Sequence, residues 1–341
     1  MSALKRVRCT GPGISRRRQG RGFTYVHPSG QPLRDDATRE RIRSLAIPPA
    51  WEDVWICPDE RGHLQAVGTD AAGRKQYLYH EDWTTRRGRQ KFDRVLRLAR
   101  RLPAMRKVSD RDISSRGLTR ERALAGAIRL LDLGFFRIGS EAYTEENGSY
   151  GLATLRRSHV RVSGDEVRFD FAAKGGQRRI QSIRDPALAR LTSALLRRKG
   201  GGRELLAFRD GKTWRDVRSE DINAYLKDLA DEEISAKDFR TWHATVLTAA
   251  LLASEEQGLT SVTSRKRVVS TVVKEVAEAL GNTPAVCRAS YVDPRVIDRF
   301  LNGETIALPQ GRDLSDDRVR ASVESAVLDL LDPNGRQQRA A

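Results

Sequence analysis

Two short segments concentrate the side chains that could do chemistry: Leu280-Gly-Asn-Thr-Pro-Ala-Val-Cys-Arg-Ala-Ser-Tyr-Val-Asp-Pro-Arg295 and Lys237-Asp-Phe-Arg-Thr-Trp-His243. They set Tyr291 nine positions after a neutral polar donor, Asn282, and downstream of an arginine in an apolar setting, Arg240. A tyrosine hydroxyl is a poor nucleophile at neutral pH, because its ordinary pKa is about 10. It becomes useful when cationic donors surround a phosphodiester and stabilise the charge of its transition state. Without a metal, such a transfer needs positive charge on the nonbridging oxygens, an attacking oxygen, and an acid for the oxygen that leaves.

Two more cations stand in suggestive settings. Arg137 lies in Gly-Phe-Phe-Arg-Ile-Gly-Ser, where Phe135, Phe136 and Ile138 predict partial burial. A guanidinium there suits bidentate phosphate contact, or equally a salt bridge to a carboxylate at the core's edge. Lys174 falls at the tight turn Phe-Ala-Ala-Lys-Gly-Gly, where most lysines are solvated charges. Lys237 precedes Arg240 by three residues, on the same side of a helical turn. His243 is followed by an apolar helix and reads as a packed or capping histidine. Asn282 can donate an amide hydrogen bond but cannot carry charge. Gly281-Asn282 also suits a helix C-cap, and the two readings are compatible.

The elements that must position these residues follow from composition and periodicity. A chain of 341 residues has room for two domains. With 62 Lys+Arg against 45 Asp+Glu, it carries a formal net charge of +17. That excess points to a polyanionic partner, nucleic acid first. Cys9, Cys57 and Cys287 are odd in number and scattered, which argues against a disulfide framework or a zinc site. The N-terminus lacks an apolar export core, and the longest apolar run, Ala244–Ala253, is too short to span a bilayer. A cytoplasmic protein without membrane partners is the expectation.

Residues 1–19, with Ser15-Arg-Arg-Arg18, read as a loose basic arm. Short strands follow at Gly22–Val26, Val54–Ile56, His63–Gly68 and Gln76–Tyr79, with a helix over Ala37–Leu45. They form a small β-rich domain over 1–87. Thr84-Thr-Arg-Arg-Gly-Arg89 reads as a hinge, after which the period becomes helical through Phe92, Val95, Leu96 and Ala99. The larger, mainly helical domain over 88–341 is interrupted by strands at His159–Val162, Val167–Phe171 and Arg179–Ile183. Helices then continue from Ala187 onward, and a basic tail from about 335 reads as disordered. Arg209-Asp-Gly-Lys-Thr213 looks like the end of a nucleotide-binding loop, but Leu206 occupies the first glycine position. The acidic groups Asp231-Glu-Glu233 and Asp316-Asp317 read as solvated helix ends. No ATP or metal requirement follows.

Over about Gly68 to Val296 the chain resembles the type IB DNA topoisomerases, specifically the small poxvirus-like enzymes that also occur in bacteria. Tyrosine recombinases share the arginine and the donor-to-tyrosine spacing, but the Tyr-Val-Asp-Pro-Arg ending looks more like a topoisomerase. A noncatalytic binder on the same scaffold would require a missing catalytic member. The resemblance implies an α+β protein with a β-rich N-terminal DNA-clamp domain and a mainly helical catalytic domain. It makes Arg137 and Arg240 the two catalytic arginines, Lys174 the general acid for the leaving 5′ oxygen, and Tyr291 the nucleophile. Asn282 becomes an oxyanion donor where the poxvirus enzymes have histidine. It also implies DNA contacts from Arg74, Lys75, Gln76, Tyr77 and Tyr79, from Tyr143 and Thr154, and an auxiliary role for Lys237. The implied activity is relaxation of supercoiled duplex DNA by cleavage through a 3′-phosphotyrosyl link, strand rotation and religation. No cofactor is implied, and the protein would be a nucleoid-associated monomer clamped on DNA.

Overall fold

The computed structural model describes residues 3–256, 258–259, 261–309, 314 and 316–332. The expected disordered tail from about 335 lies outside the described residues. The chain divides into two compact units, Met1–Lys91 and Phe92–Ala341.

The first unit is built on β1 (Ile14–Gln19), β2 (Gly22–Val26), α1 (Asp36–Ser44), β3 (Glu52–Ile56), β4 (Leu64–Thr69) and β5 (Lys75–Tyr79). The strands make one antiparallel sheet in the order β2-β1-β3-β4-β5. Ile14, Ile42, Val54, Ile56 and Ala66 form its small core. Asp35 starts α1 by accepting a hydrogen bond from the Thr38 amide at 2.8 Å, satisfying one of the open donors at a helix N-terminus.

The expected loose arm over 1–19 is wrong for Ile14–Gln19, which is an inner strand of this sheet. Ile14 points inward and is buried. Arg16 lies 4.2 Å over the Phe23 ring and donates to the carbonyls of Ile47, Pro48 and Trp51. The arginine stems cover apolar surface while their heads reach polar groups, so charged composition conceals a strand.

The hinge reading also fails, because Thr84–Arg89 lies inside α2 (Glu81–Ile113). Glycine at position 88 weakens a helix by only about 1 kcal/mol, which the rest of a long helix offsets.

In the second unit, α2 buries Val95, Leu98, Ala99, Leu102 and Met105 against α3 (Arg120–Leu133) and its neighbours. After α4 (Glu141–Asn147) comes the three-stranded antiparallel sheet β6 (Val160–Ser163), β7 (Glu166–Ala172) and β8 (Arg178–Arg184). Then follow α5 (Pro186–Arg197), the hairpin β9 (Ala207–Asp210) and β10 (Thr213–Asp216), and α6 (Ser219–Ala230). The unit closes with α7 (Ala236–Ser254), α8 (Val262–Leu280), α9 (Pro284–Ser290), α10 (Pro294–Leu301) and α11 (Asp317–Leu331). The β9–β10 hairpin interrupts what the sequence reading gives as continuous helices. Its two-residue loop is Gly211-Lys212, with Gly211 at φ +59°, a glycine-first loop suited to tight hairpins.

Arg106 ties three helices of this unit together. It forms two-pronged contacts with Asp132 on α3 (2.8 and 2.9 Å) and Glu324 on α11 (2.7 and 2.8 Å). Burial alone would lower its pKa, but Glu324 and Asp132 hold it above the ordinary arginine value.

Candidate active site

Helix α8 ends in three successive carbonyls that take one guanidinium each. Arg179 Nη2 donates to Ala279 O at 3.2 Å, Arg240 Nη2 to Leu280 O at 2.9 Å, and Arg137 Nη2 to Gly281 O at 2.8 Å. The last carbonyls of a helix lack partners within it and carry partial negative charge, so cations gather there. Gly281 ends the helix at φ +63°, and the Asn282 amide returns to Ala277 O at 2.9 Å. This is the C-cap expected at Gly281-Asn282. It turns Asn282 Oδ1 onto Arg137 Nη2 at 2.6 Å and leaves the buried amide Nδ2 without a partner among the described residues.

Arg240 lies in the first two turns of α7 and is 3% exposed. Its Nη1 also donates to Phe135 O, and its guanidinium carbon sits 5.2 Å from the centroid of the Tyr291 ring. Burial, and then the nearby Arg137 charge, lower its pKa to about 10. The start of α7 is fixed by buried Asp238, which accepts from the Ser235 amide and is gripped by both prongs of Arg94.

Tyr291 follows the last residue of α9 and is half-buried. Thr283 caps that helix and Pro284 opens it, while Cys287 is its buried anchor. On the far side, Asp293 caps α10 and is held two-pronged by Arg295. The Asp293 amide donates to Thr245 Oγ1 on α7 at 3.2 Å, so the tyrosine is clipped to the helix that carries Arg240.

The Arg137 segment is extended and backed by a second strand of chain. Leu152 N donates to Arg137 O and Ala153 N to Ile138 O, both at 2.8 Å. Gly139 and Gly151 meet backbone to backbone. A Cβ on Gly151 would stand 2.5 Å from Gly139 Cα, so no side chain fits.

Of the five expected catalytic residues, Arg137, Arg240, Asn282 and Tyr291 thus converge around one helix end. Lys174 occupies the turn between β7 and β8, where Gly175 and Gly176 adopt φ of +80° and +74°. Its Nζ stands 5.7 Å over the Tyr143 ring, and among the described residues it makes no hydrogen bond or ion pair. Tyr143 itself is exposed on α4. Thr154 is buried, its hydroxyl accepting from the Gly151 amide and bonded to Thr144 Oγ1, both at 3.0 Å. Its position supports the Arg137 segment from within. Lys237 is exposed on the first turn of α7.

His243 packs edge-on against Phe135 and Phe239, with Nε2 buried and unpartnered among the described residues. Burial lowers its pKa to about 4. It is the packed histidine that its apolar surroundings predict. Arg179 is a member of the cluster that sequence reasoning missed. Its sequence context is one arginine of an Arg-Arg pair in a strand, and its partner Ala279 lies 100 residues away.

In the first unit, β5 is the edge strand. Tyr77 and Tyr79 project from one face, each 46% exposed, with rings stacked 6.3 Å apart. The alternation expected for this strand is present. Lys75 is exposed beside them, while Gln76 and Leu78 take the opposite face. Gln76 Nε2 and Arg74 Nε both bond Asp70, whose pKa falls to about 2 through the Arg74 backbone amide and these side chains.

The family described as eukaryotic DNA topoisomerase I, catalytic core, matches residues 80–300, a span that contains all five expected catalytic positions. The chain belongs to the type IB DNA topoisomerases. The family described as bacterial DNA topoisomerase IB, N-terminal domain, matches residues 22–70, from β2 to β4. This supports placing this type IB topoisomerase with the bacterial poxvirus-like enzymes. The chain is 29% identical to the DNA topoisomerase 1B of Acanthamoeba polyphaga mimivirus over 325 residues, 94% of this chain and 96% of that protein. It is 23% identical to the DNA topoisomerase 1 of Rabbit fibroma virus over 285 residues, 82% of this chain and 87% of that one. With the DNA topoisomerase 1B of Vaccinia virus it shares 21% identity over 276 residues, 77% and 82% of the two chains. No helix among the described residues is long and apolar enough to cross a membrane.

Proposed function

We propose that this topoisomerase relaxes duplex DNA through a covalent 3′-phosphotyrosyl link at Tyr291. The observation that carries the reading is the placement of Tyr291 beside Arg240, with Arg137 and Asn282 on the same helix end and carbonyls as their partners. Cations held on neutral groups keep their charge available for an anion. Tyr291 Oη gives up its proton to solvent and attacks the phosphorus, and the bond to the 5′ oxygen breaks. Lys174, on the turn between β7 and β8, protonates that oxygen. Arg137 and Arg240 bind the nonbridging oxygens, and the free Nδ2 of Asn282 adds a neutral donor. The cut strand rotates, and the 5′ hydroxyl then returns to the phosphorus, expelling Tyr291. The phosphotyrosyl bond conserves the energy of the broken one, so neither ATP nor metal enters.

The two units divide the work in this reading. The β-rich unit grips duplex through Lys75, Tyr77 and Tyr79, with Arg74 just before them and Gln76 on the other face of the strand, and the helical unit, with Tyr143 and Lys237 at its surface, performs the transfer as a monomer. The test is to trap the protein on nicked plasmid in EDTA without ATP and identify the modified peptide by mass spectrometry. The adduct is expected on Tyr291. Tyr291→Phe should abolish it and leave noncovalent DNA binding nearly intact. A nucleotide on any other residue, or an absolute need for magnesium, would overturn the mechanism.

A further inference from the structure

The arginine that sequence reasoning passed over has the features of a working member of the site. Arg179 stands in β8 opposite Phe171, at an inward position between exposed Arg178 and exposed Ile180. Strand alternation puts it on the face of Ile183, which is buried. Two of its three nitrogens are committed: Nε donates to Gln181 Oε1 at 2.9 Å and Nη2 to Ala279 O at 3.2 Å. The third, Nη1, has no partner among the described residues. It faces the Cα of Gly281, where a Cβ would lie 3.5 Å from it and 3.9 Å from Arg137 Nη1. Both free Nη1 groups therefore look onto one spot.

None of the three guanidiniums on the end of α8 has a carboxylate partner among the described residues. Glu278 lines the groove of about 630 Å³ that Arg137 and Arg179 share, and which Arg240 does not line, but it is exposed and forms no ion pair with them. Burial, and then the Arg137 charge, lower the pKa of Arg179, so the folded protein holds this cation against a cost. Buried arginines are ordinarily paired. These three rest on neutral oxygens alone, of Phe135, Gln181, Ala279, Leu280, Gly281 and Asn282, and so form a socket for an anion.

We infer that Arg179 is a third guanidinium acting on the reacting phosphate, alongside Arg137 and Arg240. The inference rests on the phosphodiester reading of the site given above. Gln181 sets the plane of the guanidinium and Ala279 its depth, so the free Nη1 is aimed before DNA arrives. Preorganisation of this kind favours the transition state, in which charge builds on the nonbridging oxygens.

The test measures single-turnover formation of the Tyr291 adduct on two duplexes that differ only at the scissile phosphate. One carries the ordinary diester, the other a neutral methylphosphonate. Arg179→Ala should slow adduct formation on the ordinary duplex by about 10²-fold, as for one lost oxyanion donor. On the methylphosphonate it should leave the wild-type rate unchanged, because the methyl group removes one nonbridging oxygen together with the diester charge that the guanidinium offsets. Arg179→Lys, which keeps the charge but loses the fork, should fall between wild type and Arg179→Ala on the ordinary duplex only. An equal penalty on both duplexes would show that Arg179 merely braces α8, and a wild-type rate on the ordinary duplex would remove it from the site. If Arg179→Ala fails to fold, Arg179→Gln supports the same comparison. Absence of any Tyr291 adduct from the wild-type protein would instead defeat the phosphodiester reading itself.

Discussion

Arg106 and Arg240 are both largely buried arginines in the helical unit, yet their partners differ in kind. Arg106 meets two carboxylates, Asp132 and Glu324, with four hydrogen bonds between 2.7 and 2.9 Å. Arg240 meets the carbonyls of Phe135 and Leu280 and the face of Tyr291. The pKa values move in opposite directions, up for Arg106 and down to about 10 for Arg240. In the first cluster charge is cancelled within the fold, and the arginine holds helices together. In the second it is left standing, and the arginine awaits an anion. Residue type and burial alone do not separate these roles; the charge of the partners does.

The contrast is sharpest in stability. Arg106→Ala leaves buried Asp132 and Glu324 with only Arg320, 3.9 Å from Asp132, as an ion-pair partner among the described residues, which should lower unfolding free energy by about 3–5 kcal/mol in urea melts. Arg240→Ala removes an uncompensated charge and should cost much less stability. A larger loss from Arg240→Ala than from Arg106→Ala would break the distinction.

Catalysis should reverse the ranking. Arg137→Ala and Arg240→Ala should slow cleavage by about 10²–10³-fold, or ~3–4 kcal/mol of transition-state stabilisation. A substrate with sulfur at the 5′-bridging position should rescue Lys174→Ala, because a thiolate leaves without a proton. It should not rescue the arginine variants, which act on the nonbridging oxygens. Single-turnover rates on the two substrates check both statements.

His243 lies close enough to Asp132, Arg106 and Arg240 to feel the charges of both clusters. Its folded pKa of about 4 lies below the ordinary 6.5, so the unfolded chain binds the proton more readily. The stability this provides is complete above about pH 6.5 and is lost as pH falls towards about 4, at most about 3 kcal/mol. His243→Phe should flatten that part of the stability–pH curve. An unchanged curve would mean that the imidazole is not shielded in the fold.

Asn282→Ala should be mildest, slowing cleavage by about tenfold, since a neutral donor contributes less than a charged one. A loss as large as that of Arg137→Ala would mean that Asn282 acts mainly by holding Arg137 through Oδ1.

The sequence discloses most of this site because its signals are local. Thr283-Pro284 and Asp293-Pro294 announce helix starts on either side of Tyr291, and Lys174-Gly-Gly announces a turn. What it hides depends on partners distant in the chain. Arg179 gains its role from Ala279, and β1 is recognisable as a strand only once Phe23, Ile47 and Trp51 surround Arg16. The β9–β10 hairpin is a different omission. Its Gly211-Lys212 loop is legible in the sequence, inside the Arg209–Thr213 stretch that also looks like the end of a phosphate loop.

The seven residues of α9 form a ruler between Asn282 and Tyr291. Each residue added to a helix turns its far end by about 100° and advances it by about 1.5 Å. One inserted or deleted residue would therefore swing the phenol away from Arg240, whatever the residue's chemistry. Cys287 is the one buried position among Pro284–Ala289, the others being exposed. The segment should accept many changes of letter and no change of length, so its information is held in the count of residues more than in their identity.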